Sequence, residues 1–347
     1  MIIYSVMPFI IFGLADIPTD TEKILPDTKP LTLEGDIASL MVSGIDKFLL
    51  RELDASVEQR AKYWKRNFTS PESYSRSIEP NRERLAHILG VRDSRISDTN
   101  LELAGTTKQP ALNGRGDGYD IYAIRWHSFG DVYGEGLLLM PTNDKPIANI
   151  IAIPDADQIP EQICGLMEGV ATESQYARRL AESGCRVVVP ILINRSPAVS
   201  QVSNREFLYR SAFELGRHLI GYEIQKILSL VDFFENDSAN ETQSQTTKIG
   251  VFGWGEGGML ALYAGALDER IEAVCVSGYF DSRQNIWQEP IYRNVFGLLE
   301  QFGDAELASM IAPRTLIVES AKAPEVIVPS GTGGAAPSTL TTPRLDS

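Results

Sequence analysis

The 347-residue sequence predicts an α/β fold, a mainly parallel sheet with helices on both faces, preceded by a helical N-terminal region. Three observations predict it. Strand-like apolar runs and helix-length amphipathic runs alternate from about residue 147 to residue 320, the order expected when each crossover returns a strand to the same sheet. The run "IANIIAIP" (147–154) is apolar throughout, as a strand covered on both faces must be. The segment "KIGVFGWGEGGMLALYAGAL" (248–267) reads as strand, glycine-rich turn and helix.

Bulk composition is that of a globular chain, 43% hydrophobic and 22% charged. A net charge of −14 repels phosphate backbones, which excludes nucleic acid as an expected partner. The three cysteines, Cys164, Cys185 and Cys275, form no C-x-x-C pair, so neither a zinc ribbon nor a disulfide framework is expected, and Cys185 and Cys275 read as buried thiols.

In chain order, residues 1–15 are an apolar run ending in "GLA" before Asp16. Spanning a bilayer takes about 20 residues, so the run is read as the apolar region of a secretory signal, implying a periplasmic or extracellular protein. The leading segment lacks Lys and Arg, which leaves a buried strand in a cytoplasmic protein as the alternative. No later segment is long and apolar enough to be a transmembrane span. Residues 16–34 are polar and proline-punctuated, a linker. From 35 to 114 the pattern is helical: Ile37, Leu40, Met41, Ile45, Phe48 and Leu49 form one stripe, and further helices are expected near 55–66 and 72–90, the latter entered through "SPESY". This region is expected to pack on the main domain.

The main domain, 115–320, opens with "YDIYAIRW" and "VYGEGLLLMP", an antiparallel hairpin. After the strand at 147–154 come a helix over about 172–183, the strand "CRVVVPIL" and one long helix from about 205 to 235. A polar loop (236–246) leads to the glycine-turn strand, its helix at 257–267, the strand "IEAVCVSG", helices near 290–310 and the strand "RTLIVES". The tail, 321–347, is rich in Pro, Gly, Ser, Thr and Ala and shows no strand or helix period, so it reads as a low-complexity tail or linker.

The glycine turn admits two readings. Gly253, Gly255 and Gly258 have the G-x-G-x-x-G spacing of a dinucleotide site, implying a nucleotide-dependent enzyme. Such a turn normally opens its domain and is followed about 20 residues later by a ribose-binding acid. Here the next strand ends in Val276-Ser277-Gly278, and the first acid beyond it is Asp281. The same turn fits G-x-S-x-G, the strained strand-to-helix elbow of a hydrolase, except that Gly255 stands where the nucleophile belongs.

The segment "GWGEGGMLALYAGALDERIEAVCVSGYF" resembles the elbow, helix and next strand of the acetylxylan-esterase and dienelactone-hydrolase group of the α/β-hydrolase superfamily, with Gly253, Gly257 and Gly258 as its small flanking residues and "LDERI" as the exit turn. "GRHLIGYEIQKILSLVDFF" resembles the group's helix before the elbow, and "IAPRTLIVES" its acid-bearing strand. The resemblance covers roughly 115–320 and implies an esterase-like hydrolase fold acting on a small molecule or carbohydrate ester, without cofactor or metal.

The chain departs from that pattern in two places. Gly255 has no side chain to attack a carbonyl. The histidines His87, His127 and His218 all precede the elbow, whereas the group's order is nucleophile, acid, histidine. The last strand and its histidine loop do not follow residue 320, so the C-terminal end of the fold is expected to be absent or supplied elsewhere. The expected function is therefore a catalytically degenerate hydrolase with a retained pocket. The alternative is an ester hydrolase that uses an unconventional carboxylate or is completed by further sequence.

Glu256 is the carboxylate on offer, either capping the helix or activating water, and its backbone N–H is the expected oxyanion donor. Asp155 and Asp157 follow the strand whose loop gives the second donor, and Glu319 ends the strand where the group places its acid, with Glu325 as alternative. Trp254 is a candidate pocket floor. His218 reads as a core or surface hydrogen-bonder within the long helix, and the histidine spacing offers no metal site.

Overall fold

A computed structural model of the chain describes residues 26–29, 32–142, 145–197, 202–240, 247–328 and 338–343. The expected signal at 1–15 and most of the expected linker lie outside these residues. The chain separates into two compact units, Met1–Arg51 and Glu52–Ser347. The stripe expected after residue 35 lies on helix α1, Ile37–Gln59, whose end covers part of the second expected helix. Helix α2, Pro71–Leu89, starts as its sequence dictates: Ser70 accepts the Ser73 N–H at 3.1 Å, Pro71 fills the first turn, and Gly90 closes the helix at φ 74°.

Strands β1 (Leu101–Leu103), β2 (Leu112–Gly116), β3 (Tyr119–Phe129) and β4 (Val132–Pro141) are antiparallel, with β3 and β4 the expected hairpin. They lead into β5 (Asn149–Ile153), the short helix α3 (Pro160–Ile163), α4 (Tyr176–Glu182) and β6 (Arg186–Pro190). Helices α5 (Asn204–Glu214) and α6 (Leu219–Asn240) precede β7 (Ile249–Trp254), α7 (Glu256–Leu267) and β8 (Ile271–Ser277). The order ends with α8 (Leu298–Gln301), α9 (Asp304–Ile311), β9 (Thr315–Glu319) and a two-stranded antiparallel sheet, β10 (Val326–Val328) with β11 (Ser338–Leu340).

Among the described residues the main sheet has nine strands in the order β1-β3-β4-β6-β5-β7-β8-β9, with β2 also on β3. From β6 to β9 every neighbouring pair is parallel. Apolar residues alternate between its faces. Val188, Ile151, Ile153 and Trp126 join the core under α2, α6, α7 and α9, while Val187, Val189, Ala152 and Leu139 join the core under α3 and α4. Helix α7 is buried on nearly every side, and its small residues let the sheet approach: an added Cβ at Gly265 would lie 2.4 Å from Val274.

Three expectations change. The single helix over 205–235 is two, because Gly216 adopts φ 61° and the Arg217 N–H turns back to the Ala212 carbonyl, closing α5. His218 therefore stands outside α6 and caps it, its Nδ1 accepting the Ile220 N–H at 3.1 Å. The polar loop after 235 is helical to Asn240. The tail, read as featureless, contributes the β10–β11 pair.

Candidate active site

The site lies at the C-terminal ends of the parallel strands, where loops from successive crossovers converge. Between β7 and α7, Gly255 holds φ 61° and ψ −117°, backbone that costs a residue with a side chain dearly. The flanking glycines are required by distance. An added Cβ at Gly253 would lie 1.9 Å from the Gly257 carbonyl oxygen, one at Gly257 2.1 Å from that of Ile153, and one at Gly258 2.7 Å from that of Ser277. These contacts are with backbone, so α7 meets β7, β5 and β8 this closely only with glycine at all three positions. The Gly255 N–H donates to the Ser277 carbonyl at 3.0 Å, which ties the turn to β8.

The space beside Gly255 is already filled. A Cβ there would lie 2.8 Å from Asp155 Oδ2 and 2.8 Å from Pro324 Cδ. Asp155 follows β5, is 2% exposed, and accepts the Glu256 backbone N–H on Oδ2 at 3.0 Å. The N–H after the nucleophile position, the expected oxyanion donor, is thus spent on a carboxylate from the loop expected to give the second donor.

Arg195, in the loop after β6, holds that carboxylate. Its Nη1 and Nη2 donate to Asp155 at 2.6 and 3.1 Å, Nη1 also to Asp157 at 3.0 Å, Nη2 also to Glu256 at 3.1 Å, and Nε to the Tyr292 hydroxyl at 2.9 Å. Every N–H of this guanidinium has an acceptor. Asp157 is the outer member, its side chain 47% exposed.

Glu256 has no exposed surface. Its Oε1 accepts from Arg205 Nη2 at 2.9 Å, and its Oε2 accepts from Arg293 Nη2 at 2.7 Å, Arg293 Nε at 2.9 Å and Arg195. Burial alone would raise its pKa, but Arg293, Arg205 and Arg195 outweigh burial and hold it at about 2. A carboxylate so acidic and so enclosed is a poor base. Arg205 also pairs with Glu223 of α6, at 2.9 Å to each oxygen, and Arg293 with Glu289 at 2.9 Å.

Glu319 ends β9 and accepts the Ser277 hydroxyl at 2.5 Å. Trp254 points its Nε1–H at the Lys322 carbonyl, 3.0 Å away, and so anchors the chain after β9. Glu325, the alternative acid, accepts from the Thr342 hydroxyl at 3.3 Å. His218 is 3% exposed, its Nε2 donating to the Asn294 carbonyl at 2.9 Å, and burial lowers its pKa to about 4. These hydrogen bonds fix it as a neutral structural group. Above the turn lies a polar cavity of about 710 Å³, lined by Gly255, Tyr279, Trp287, Arg293, Pro324 and Leu340.

The structure thus brings Asp155, Asp157 and Glu256 together around Gly255 and leaves Glu319 on Ser277. Sequence reasoning missed Arg195, Arg205, Arg293 and Glu223. Only Glu223 left a local signal, a charge inside the otherwise apolar face of "LIGYEIQKILSLV".

No family model matches the chain. Among curated proteins it is similar to "Putative hydrolase YtaP" of Bacillus subtilis (strain 168), 30% identical over 114 residues, which are 31% of this chain and 36% of that protein. The match therefore spans about a third of the curated relative's length. Among solved structures it is similar to a "putative acetyl xylan esterase" from Bacteroides fragilis NCTC 9343, with 18% identity, TM-score 0.53 and coverage of 73% of this chain and 69% of that one. A glucuronoyl esterase from Solibacter usitatus aligns at 14% identity and TM-score 0.49 over 72% of this chain and 75% of that one. The fold is that of the α/β-hydrolases, as the sequence resemblance implied.

Proposed function

We propose that this chain is a catalytically degenerate α/β-hydrolase, an esterase-like scaffold that keeps a pocket but no longer performs acyl transfer. One observation carries the reading: Asp155 accepts the Glu256 N–H beside a glycine at the nucleophile position. Acyl transfer needs a nucleophile and an empty site where donors receive the developing oxyanion. Here the nucleophile position carries only hydrogen and the donor already faces an anion. A second anion in that place would be repelled by Asp155.

The same carboxylates weigh against the nucleotide reading, since a pyrophosphate at the start of α7 would meet Asp155 and Glu256. The retained cavity, whose lining is mostly polar and includes the half-exposed Trp287, supports binding of a small polar molecule, and the esterase neighbours make a carbohydrate ester the class to try first. The test is hydrolysis of 4-nitrophenyl acetate by the purified chain beside a heat-denatured control. The expected rate equals the control. Turnover well above it, abolished by Glu256→Gln, would overturn the proposal in favour of an unconventional carboxylate enzyme.

A further inference from the structure

A second cavity, of about 770 Å³, lies away from the elbow, between the segment entering α2 and the end of α9, with Arg66, Phe68, Pro71, Tyr74, Ser309 and Pro313 in its walls. That volume falls in the range of small-ligand sites, about 300–1,000 Å³. Its aromatic wall is preformed. Phe68 is 77% exposed and stacks on Tyr74 with ring centres 5.4 Å apart and planes 28° apart. Tyr74 is held in turn by its hydroxyl, which donates to the Ser309 carbonyl at 2.7 Å. A large aromatic ring left in water beside two prolines costs solvation that a flat apolar ligand would recover.

The positive charge in this cavity's wall is Arg66. Its guanidinium lies over the Trp64 ring at 4.1 Å and gives one hydrogen bond, from Nη2 to Ser309 Oγ at 3.0 Å, while Nε is buried without a partner. Among the described residues no carboxylate pairs with it. The nearby acid in the wall, Glu306, accepts on its Oε2 from Arg60 at 3.3 Å and from the Gly303 N–H at 2.8 Å. In a chain of net charge −14, an arginine without a counter-ion next to exposed aromatic surface is complementary to one chemistry.

We infer that this cavity binds a small aromatic carboxylate, its ring against Phe68 and its carboxylate on Arg66. The site is independent of the elbow and of any activity there. Titrating the full chain calorimetrically with 2-naphthoate, and separately with 2-naphthalenemethanol, separates charge from ring. Naphthoate should bind tighter than the alcohol by roughly tenfold or more, the size of charge-assisted hydrogen bonding. Arg66→Met should remove that difference, and Phe68→Ala should weaken both ligands. Phe68 is mostly in solvent, so its variant keeps the fold and decides the matter if the Arg66 variant does not fold. Absence of saturable naphthoate binding at millimolar concentration, equal affinity for acid and alcohol, or affinity untouched by Phe68→Ala would each overturn the inference.

Discussion

Replacing Glu256 by glutamine removes one negative charge from the centre of the arginine cluster and changes almost nothing in volume. The side chain is fully buried, so solvent cannot compensate. Its pKa of about 2, against 4.5 for an ordinary glutamate, means that the fold favours the ionised form. At about 1.4 kcal/mol per pH unit that preference is roughly 3 kcal/mol, close to the ~3–5 kcal/mol measured when one partner of a buried ion pair is deleted. Glutamine keeps an acceptor oxygen but turns an N–H₂ toward Arg205 or Arg293, so little is recovered. Glu256→Gln should therefore lower stability by about 3 kcal/mol, or about 6–12 °C in melting temperature at ~2–4 °C per kcal/mol for a domain of this kind. The pH dependence gives a second signature. A carboxylate with depressed folded pKa contributes fully above its unfolded pKa and is lost as pH falls through the folded one. The gap between wild type and variant should thus be constant above about pH 4.5 and close toward pH 2. Urea denaturation followed by circular dichroism from pH 7 downward measures both. A variant as stable as wild type at pH 7, or a gap that does not shrink in acid, would refute the picture of Glu256 as a buried charge shared by three arginines.

Other outcomes follow from the same geometry. Gly255→Ser should not gain 4-nitrophenyl acetate turnover over wild type, because the new Cβ meets Asp155 and Pro324 at 2.8 Å and the oxyanion donor stays occupied; a stopped-rate absorbance assay checks it. Gly253→Ala should fail to give soluble folded protein, since its Cβ would lie 1.9 Å from a backbone oxygen, whereas Gly118→Ala, with nothing within 4 Å but φ 80°, should fold with a loss of about 1 kcal/mol; expression and melting curves compare them. His218 should titrate near 4 by NMR instead of near 6.5. Its contribution to stability is full above about pH 6.5 and declines as pH falls toward 4, because burial opposes the charged ring.

Much of the fold was legible because its signals are local. The run at 147–154 and the elbow segment each carry their period within a few residues, and β5, β7 and α7 lie where those patterns put them. The break at Gly216 was not legible, since apolar spacing continues through it and a lone glycine is tolerated inside helices. Three-residue strands such as β10 and β11 carry too little alternation to stand out of a Pro- and Gly-rich tail. The arginine cluster was invisible for a different reason. Its pairs join residues 40 apart for Arg195 and Asp155, 51 for Arg205 and Glu256, and 37 for Arg293 and Glu256, and no periodicity links such positions.

The flanking glycines of the elbow and Gly255 answer to different physics. Gly253, Gly257 and Gly258 are fixed by distances of 1.9–2.7 Å to backbone oxygens, so exchanging any of them separates α7 from the sheet. At position 255 the constraint is of another kind, a φ of 61° and the side chains of Asp155 and Pro324 at 2.8 Å rather than a backbone oxygen. Once no side chain projects there, a carboxylate can take the Glu256 N–H that would otherwise sit buried and unmet, an unsatisfied group costing about 1–3 kcal/mol. That carboxylate then needs a cation, which Arg195 supplies, and Arg195 bridges it to Glu256. Each charge in the cluster is compensated by the next. A serine at 255 alone would leave the cluster in place and the Glu256 N–H still taken by Asp155, so on the proposed reading turnover would require at least residues 155, 195 and 255 to change together.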